Sequence, residues 1–238
     1  MTRHRISALA GLVLLAAPRF ASAAVVAPTA TLTVDGTAYT IPVSKDSDGI
    51  YEVGGGSGWQ MTTSGFYAQL SGAIDPDPAI DYGFSVTDFG TPSNFSFNFS
   101  DPIAFPAGPS VVFSSISGGL NDVTGNGASV TPTTSTKVQE SSVGNGGPLT
   151  NMGVDVGNTM VVPATGSANT QTYGPFNSGP IGGPAGPWNT LEATAAFSLS
   201  GGGDIFSATG HAEIVVPEPA SLGLLAAAIP MLRRRRAK

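Results

Sequence analysis

The chain predicts an all-β protein, a single antiparallel β-sandwich or jelly-roll-like domain, and three observations point there. Apolar and polar residues alternate in short runs, most cleanly at Phe95, Phe97 and Phe99 against Asn94, Ser96, Asn98 and Ser100. Glycine and proline, 32 and 19 of 238 residues, interrupt the chain too often for long helices. Between residues 24 and 215 no stretch sustains an apolar period of 3.6. Short strands separated by turn residues suit two packed antiparallel layers.

The elements follow in order. Residues 31–34 and 37–41 flank Asp35-Gly36, the pair a two-residue type I′ hairpin demands because both central residues need positive φ. Residues 66–71 are expected to form a strand, followed by the turn Ile74-Asp75-Pro76-Asp77-Pro78. In 81–87, Tyr82, Phe84 and Val86 share a face. In 94–100 the three phenylalanines share one, which reads as core and not as a ligand platform. Residues 111–117 come next, then a polar tract over 118–147 with Val130 and Val138 as weak strand centres, then a strand over 149–156 ending at Gly157. The stretch 174–187, GPFNSGPIGGPAGP, is expected to be a long surface loop, since proline cannot donate to a sheet ladder. The domain closes with Leu191, Ala193, Ala195, Phe197 and Leu199 on one face, a turn at Gly201-Gly202-Gly203, and Phe206, Ala208, Gly210, Ala212 and Ile214 on the next.

Both ends carry address signals. Residues 1–23 read as a signal peptide with an N-terminal signal helix. Arg3, His4 and Arg5 give a positive start, 6–17 are almost wholly apolar, and Ala21 and Ala23 are the small residues a signal peptidase reads, with cleavage expected after Ala23. Residues 24–215 form the exported domain and 216–238 the tail. In that tail Pro217-Glu218-Pro219 precedes an apolar run over 222–232, expected as a short hydrophobic helix, and then Arg233, Arg234, Arg235 and Arg236. An unaided membrane span needs about 20 apolar residues, nearly twice this run, and Pro230 would break a helix within it. The run therefore suits transient inner-membrane association, with the arginines held on the cytoplasmic side.

In motif, apolar run and arginine block, taken in that order, the tail resembles the PEP-CTERM sorting signal of bacterial exported proteins. The resemblance implies that Pro217, Glu218 and Pro219 are recognised by a membrane-embedded exosortase, with processing at or near them. It also implies that Arg233 to Arg236 are the membrane stop, and that the protein ends at the cell surface or outside the cell. Similar tails are also catalogued as the C-terminal domain of ice-binding proteins, a name that describes the tail and no activity. The succession GFY at 65–67, DPDP at 75–78, YGFSVT at 82–87, residues 149–157 and FSLSG at 197–201 is similar to uncharacterised PEP-CTERM cargo proteins and brings no activity with it.

Charge narrows the partners. Eight of the ten basic residues lie in the two end segments, leaving Lys45 and Lys137 against fifteen acids and a formal charge of −13 between them. Such a surface repels phosphate backbones, which excludes nucleic acid as a partner. Cysteine is absent, so disulfides, thiol chemistry and cysteine-based zinc sites are excluded.

The candidate chemistry is sparse. His211 is the single histidine of 24–215 and is expected on the solvent face with Thr209 and Glu213; no G-x-S-x-G elbow accompanies it, so it reads as an exposed strand histidine. Asp46-Ser47-Asp48-Gly49 resembles the middle of an EF-hand loop, but aligning Gly49 to position six puts Gly55 where the bidentate glutamate belongs. Asp75, Asp77 and Asp81 on a proline-stiffened turn could bind Ca²⁺, or form a solvated acidic turn. No other cofactor is implied. Trp59 and Trp188, each among glycines, could stack on sugar or pack at the sandwich edge. Fifteen acids make a glycosidase pair easy to imagine and uninformative. Thr31/Thr33 and Thr170/Thr172 lack the fixed period that ice binding needs. The expected function is a non-enzymatic exported cell-surface or extracellular-matrix protein. Signal peptidase and exosortase would process it, and exopolysaccharide would be its associate. A secreted carbohydrate-binding module is the alternative and a hydrolase a distant third.

Overall fold

The computed structural model describes residues 26–75 and 78–217. The expected signal helix, the expected tail helix and the residues Ala21, Ala23, Asp77, Glu218, Pro219 and Arg233 to Arg236 lie outside the described residues. Among the described residues all regular elements are strands, and no helix is long and apolar enough to cross a membrane. The strands are β1 (Thr29–Val34), β2 (Thr37–Ile41), β3 (Val43–Lys45), β4 (Tyr51–Val53), β5 (Trp59–Thr62), β6 (Phe66–Asp75), β7 (Ala79–Asp88), β8 (Ser93–Asp122), β9 (Ala128–Pro132), β10 (Gln139–Gly144), β11 (Thr150–Asn151), β12 (Met160–Val162), β13 (Asn169–Leu199) and β14 (Asp204–Val215). All join one antiparallel hydrogen-bonded sheet.

That sheet doubles back on itself through its two longest strands. β8 and β13 pair along nearly their whole lengths, from Leu199↔Ser93 at one end to Asn169↔Asp122 at the other. The early half of β8 lies between β1 and the late half of β13, with β2, β9 and β10 beyond. The late half of β8 lies between β14 and the early half of β13, with β7, β6 and β4 beyond. Rings from the two halves meet between them. Phe84 of β7 stacks on Phe97 at 4.6 Å and on Phe197 at 5.4 Å. Tyr82 stacks on Phe99 at 4.7 Å, and Phe206 meets Phe197 edge-on at 4.9 Å. The core is therefore sandwich-like, with a first layer (β1, β8, β13, β10) facing a second (β6, β7, β14, β8, β13).

The alternation read from the sequence is the one that is buried: Phe95, Phe97 and Phe99 point inward, as do Tyr82, Phe84 and Val86. In β8 the buried residues are odd-numbered up to Phe105 and even-numbered from Ser110, so the inward face changes parity across 106–109. This corner carries the ribbon from one layer to the other and joins the expected strands 94–100 and 111–117 into one. The Asp35-Gly36 hairpin also forms as expected, with φ of 47° and 82°.

The stretch 174–187 corrects an expectation, since it is strand and not loop. Its ladder to β8 breaks register between Tyr173/Phe176, Ser178/Ile181, Gly183/Gly186 and Gly186/Trp188. Pro175, Pro180, Pro184 and Pro187 each fall inside one of those breaks. Every proline sits in a bulge, where no N–H is asked of it, and pairing resumes on either side. The polar tract also holds more strand than expected at its start, because β8 runs on to Asp122. Residues 149–156 hold less: β11 covers Thr150–Asn151, and Met152, Val154 and Val156 are buried outside strands.

Candidate functional site: a groove across the second layer

The outward side chains of the second layer line up in rows across five strands. One row reads Gln69, Ser85, Ser207, Gly119, Thr172 across β6, β7, β14, β8 and β13. The next reads Ser71, Gly83, Thr209, Ser117, with Pro175 beside it. Every one of these side chains is short or absent apart from Gln69. The rows leave a groove of about 610 Å³, and a second hollow of about 360 Å³ adjoins it toward Asp81 and His211.

Two glycines keep the groove open without any backbone need for glycine. A Cβ on Gly83 would lie 3.5 Å from Thr209 Cγ2 and 3.8 Å from Ser71 Oγ, and one on Gly119 would lie 3.6 Å from the Gln171 carbonyl. These are ordinary contact distances. Gly118 is different: its Cβ would stand 1.9 Å from the Ser207 carbonyl, so there glycine is required by strand packing.

The floor is polar at its surface and rigid beneath. Ser85 and Ser207 hydroxyls are 2.7 Å apart, and those of Ser117 and Thr209 are 3.4 Å apart. At one rim the Tyr67 hydroxyl donates to Gln60 Oε1 at 3.3 Å. Directly under the floor lie the rings of Tyr82 and Phe84, stacked on each other, and of Phe206, edge-on to Phe84. The Tyr82 hydroxyl donates to Gln139 Oε1 at 2.7 Å, and Gln139 Nε2 donates to the His211 carbonyl at 2.8 Å, which ties β14 to the interior. Burial pushes the Tyr82 hydroxyl far above its usual pKa and keeps it neutral.

At the other end of the groove a third row holds Asp81, His211 and Ser115 on β7, β14 and β8. His211 Nδ1 is 2.8 Å from Asp81 Oδ1, its Nε2 is 3.5 Å from Glu213 Oε2, and the Phe113 ring centre lies 5.6 Å away. Each imidazole nitrogen thus faces a carboxylate. His211 does lie on the outward face with Glu213, as the alternation predicts. Its pairing with Asp81, across 130 positions of sequence, has no local signal.

Asp75 ends β6, and Asp81 is engaged by His211. Among the described residues no three His, Asp or Glu side chains gather as a metal-binding set. Asp46 Oδ1 accepts the Asp48 and Ile50 amides, both at 2.9 Å, and so closes its own turn. Trp59 and Trp188 are half-buried against the core, and Trp188 Nε1 donates to the Pro184 carbonyl at 3.1 Å. Both tryptophans thus pack at the edge of the core and keep part of their surface exposed.

Four buried aspartates escaped the sequence reading: Asp88, Asp101, Asp122 and Asp204. Asp88 and Asp122 each accept two backbone amides from the loop that follows, Gly90 and Ser93 in one case and Gly125 and Gly127 in the other. Asp204, beside Asp88 in the ladder, accepts the Ser200 hydroxyl at 2.7 Å. Burial raises the pKa of Asp88 and of Asp204. Asp101 is pushed up to about 7, by burial first and by the nearby Asp75 charge second, and its Oδ2 has no hydrogen-bond partner. Its odd position, in phase with Phe95, Phe97 and Phe99, was the available signal.

No protein-family model matches the chain, and no curated protein matches it. Among solved structures, a carbohydrate-binding module, TmCBM61 in complex with beta-1,4-galactotriose, is similar at a TM-score of 0.28 and 12% identity, over 63% of this chain and 88% of that one. With so little backbone in common, the likeness transfers no site residue.

Proposed function

We propose that this is a non-enzymatic exported protein of the cell surface or extracellular matrix that holds polysaccharide in the groove of its second layer. The groove is the observation that carries the proposal. Its floor offers hydroxyls and an amide from Gln69, Ser71, Ser85, Ser117, Ser207 and Thr209, the alternating donors and acceptors that a sugar's hydroxyl edge requires. The glycine backbone between them gives the flat, apolar surface that a pyranose C–H face can lie on. A groove built on five paired strands is already in its binding shape, so little ordering is required when a ligand arrives. Length also fits, because an open trough admits a chain that continues past both ends.

Delivery belongs to the same proposal. The signal at residues 1–23 takes the chain across the inner membrane, and the Pro217-Glu218-Pro219 tail holds it there for signal-dependent processing by an exosortase. The support is the order of motif, apolar run and arginine block in the sequence.

Binding is tested with Gly83→Leu, which extends into the groove from a position where a Cβ meets only ordinary contacts. Wild type is expected to be retained on polysaccharide in affinity electrophoresis, and Gly83→Leu to lose about tenfold or more in affinity, roughly 1.4 kcal/mol, at nearly unchanged melting temperature. Equal retention of the two would overturn the groove. Delivery is tested by mass and fractionation with and without the sorting enzyme. Loss of the segment after about Val216 only in its presence supports processing, and an uncleaved, membrane-bound chain in both hosts refutes it.

A further inference from the structure

We infer that a row of three buried aspartates, Asp88, Asp204 and Asp122, is a proton-operated latch on one end of the sandwich. A proton on Asp204 Oδ1 keeps the three loops there closed, and its loss as the pH rises releases them. The row comes from register. Asp204 of β14 pairs with Asp88 of β7, and the pairing of Ile205 with Asn121 sets Asp204 opposite Asp122 of β8. Phe66 on β6 and Asn169 on β13 stand at its two ends. Residues opposite one another in antiparallel neighbours have Cβ atoms about 4.5–5.5 Å apart, and like charges so placed repel. All three aspartates are buried, so water screens that repulsion little.

Hydrogen bonding singles out the oxygen that takes the proton. Asp88 Oδ1 accepts the Gly90 amide at 3.2 Å and its Oδ2 the Ser93 amide at 2.9 Å. Asp122 Oδ1 accepts the Gly125 amide at 2.7 Å and its Oδ2 the Gly127 amide at 2.8 Å. An amide N–H only donates, so all four oxygens are held as acceptors. On Asp204, Oδ2 accepts the Ser200 hydroxyl at 2.7 Å, while Oδ1 has no hydrogen-bond partner. A proton there sets a neutral group between two carboxylates; without it, three charges stand abreast. Burial does most to raise the Asp204 pKa, the Asp122 and Asp88 charges add to the rise, and the Ser200 hydroxyl, with the Val123 amide a weaker influence, opposes it. Asp35, in the β1–β2 turn, adds to the rise that burial causes at Asp88, and its own Oδ1 accepts the Asn94 amide at 2.8 Å. The bases of the described residues are engaged elsewhere: Lys45 lies over the Tyr51 ring, Lys137 donates to Asn158, and His211 stands against Asp81. The loops move together because they are joined. Gly202 donates to the Gly90 carbonyl at 2.9 Å and Gly203 to the Asp88 carbonyl at 2.7 Å, so 200–203 is fastened to 89–92, and Asp122 holds 123–127 beside them.

The experiment follows amide hydrogen exchange in wild type and Asp204→Asn, with each rate referred to that of an unstructured chain at the same pH. A raised carboxyl pKa contributes stability that is complete below the ordinary carboxylate range and is lost as the pH climbs through the folded value. At about pH 5 the Gly90, Ser93, Gly125 and Gly127 amides should be equally protected in the two proteins, and at about pH 8 wild type should be about tenfold less protected or more. Asparagine keeps the shape and has no proton to lose. The other buried aspartates are present in both proteins and cancel in the comparison. At the higher pH these four amides should also exchange well ahead of those of Phe97 and Ala208 in the paired strands, because the opening is local. Ser200→Ala, which removes a donor that favours the charged form, should move the loss of protection to higher pH. Equal protection of wild type and Asp204→Asn at the higher pH overturns the inference, as do loop amides no faster than Phe97 and Ala208. A Ser200→Ala midpoint that stays put or falls overturns it as well, a test independent of how well Asp204→Asn folds.

Discussion

Asp101→Asn tests how the interior treats a carboxylate. Asp101 follows three inward phenylalanines on β8, is fully buried, and leaves Oδ2 without a partner. Its pKa rises from the ordinary 3.8 to about 7. The folded state thus favours the protonated form, so this group's contribution is complete below about pH 4 and is lost as the pH climbs toward 7. A shift of about three units at 1.36 kcal/mol each amounts to about 4 kcal/mol, an order-of-magnitude figure. With a urea m-value near 2 kcal/mol/M, the wild-type midpoint should fall by roughly 2 M between pH 4 and pH 8 on this account. Asparagine has the same shape and no proton to lose. The variant should match wild type near pH 4 and exceed it at pH 8. Asp88 and Asp204 slope in the same direction, but they are present in both proteins and cancel in the comparison. Parallel pH profiles for wild type and variant would refute the reasoning, and so would an equal loss of stability at every pH.

Two further substitutions probe the sheet. Gly118→Ala should cost about 1–3 kcal/mol or more, because its methyl would drive β8 from the Ser207 carbonyl of β14, whereas Gly83→Ala on β7 should stay within about 0.5–1 kcal/mol; thermal melts of the pair compare a packed glycine with an open one. Phe84→Ala removes the ring that stacks on both Phe97 and Phe197. It should cost about 3–5 kcal/mol, seen as a lower urea midpoint, and a loss below 1 kcal/mol would mean the two layers do not meet there.

Much of the fold was legible because burying one face of a strand forces a period of two. Residues 82–86, 95–99, 191–199 and 206–214 show it openly. The Asp35-Gly36 turn was legible for a different reason, the demand for positive φ at two successive residues. The 174–187 stretch was not, since its prolines are harmless only where the partner strand lets the register slip, and the partner lies some 70 positions away. The groove was illegible for a related reason. Ser85, Ser207, Gly119 and Thr172 are unremarkable in sequence and become one surface only through cross-strand register. Asp81 and His211 could each be singled out, the one as a calcium candidate and the other as a lone histidine, yet nothing local joins them. Trp59 and Trp188 could stack on sugar or pack at the sandwich edge by sequence alone, and in the fold both are half-buried against the core.

The ribbon of β8 and β13 has a consequence for how the molecule comes into being. Each layer borrows half of both strands, so neither owns a complete set and neither can be finished alone. The pairing Leu199↔Ser93 closes a loop of about a hundred residues, and such distant contacts make folding slow. A chain delivered from its N-terminus exposes the whole of β8, thirty residues long, before any of β13 arrives to cover its edge. During that interval the bare strand is open to any other extended chain, and crowding or a delay in delivery would turn that opening into aggregation.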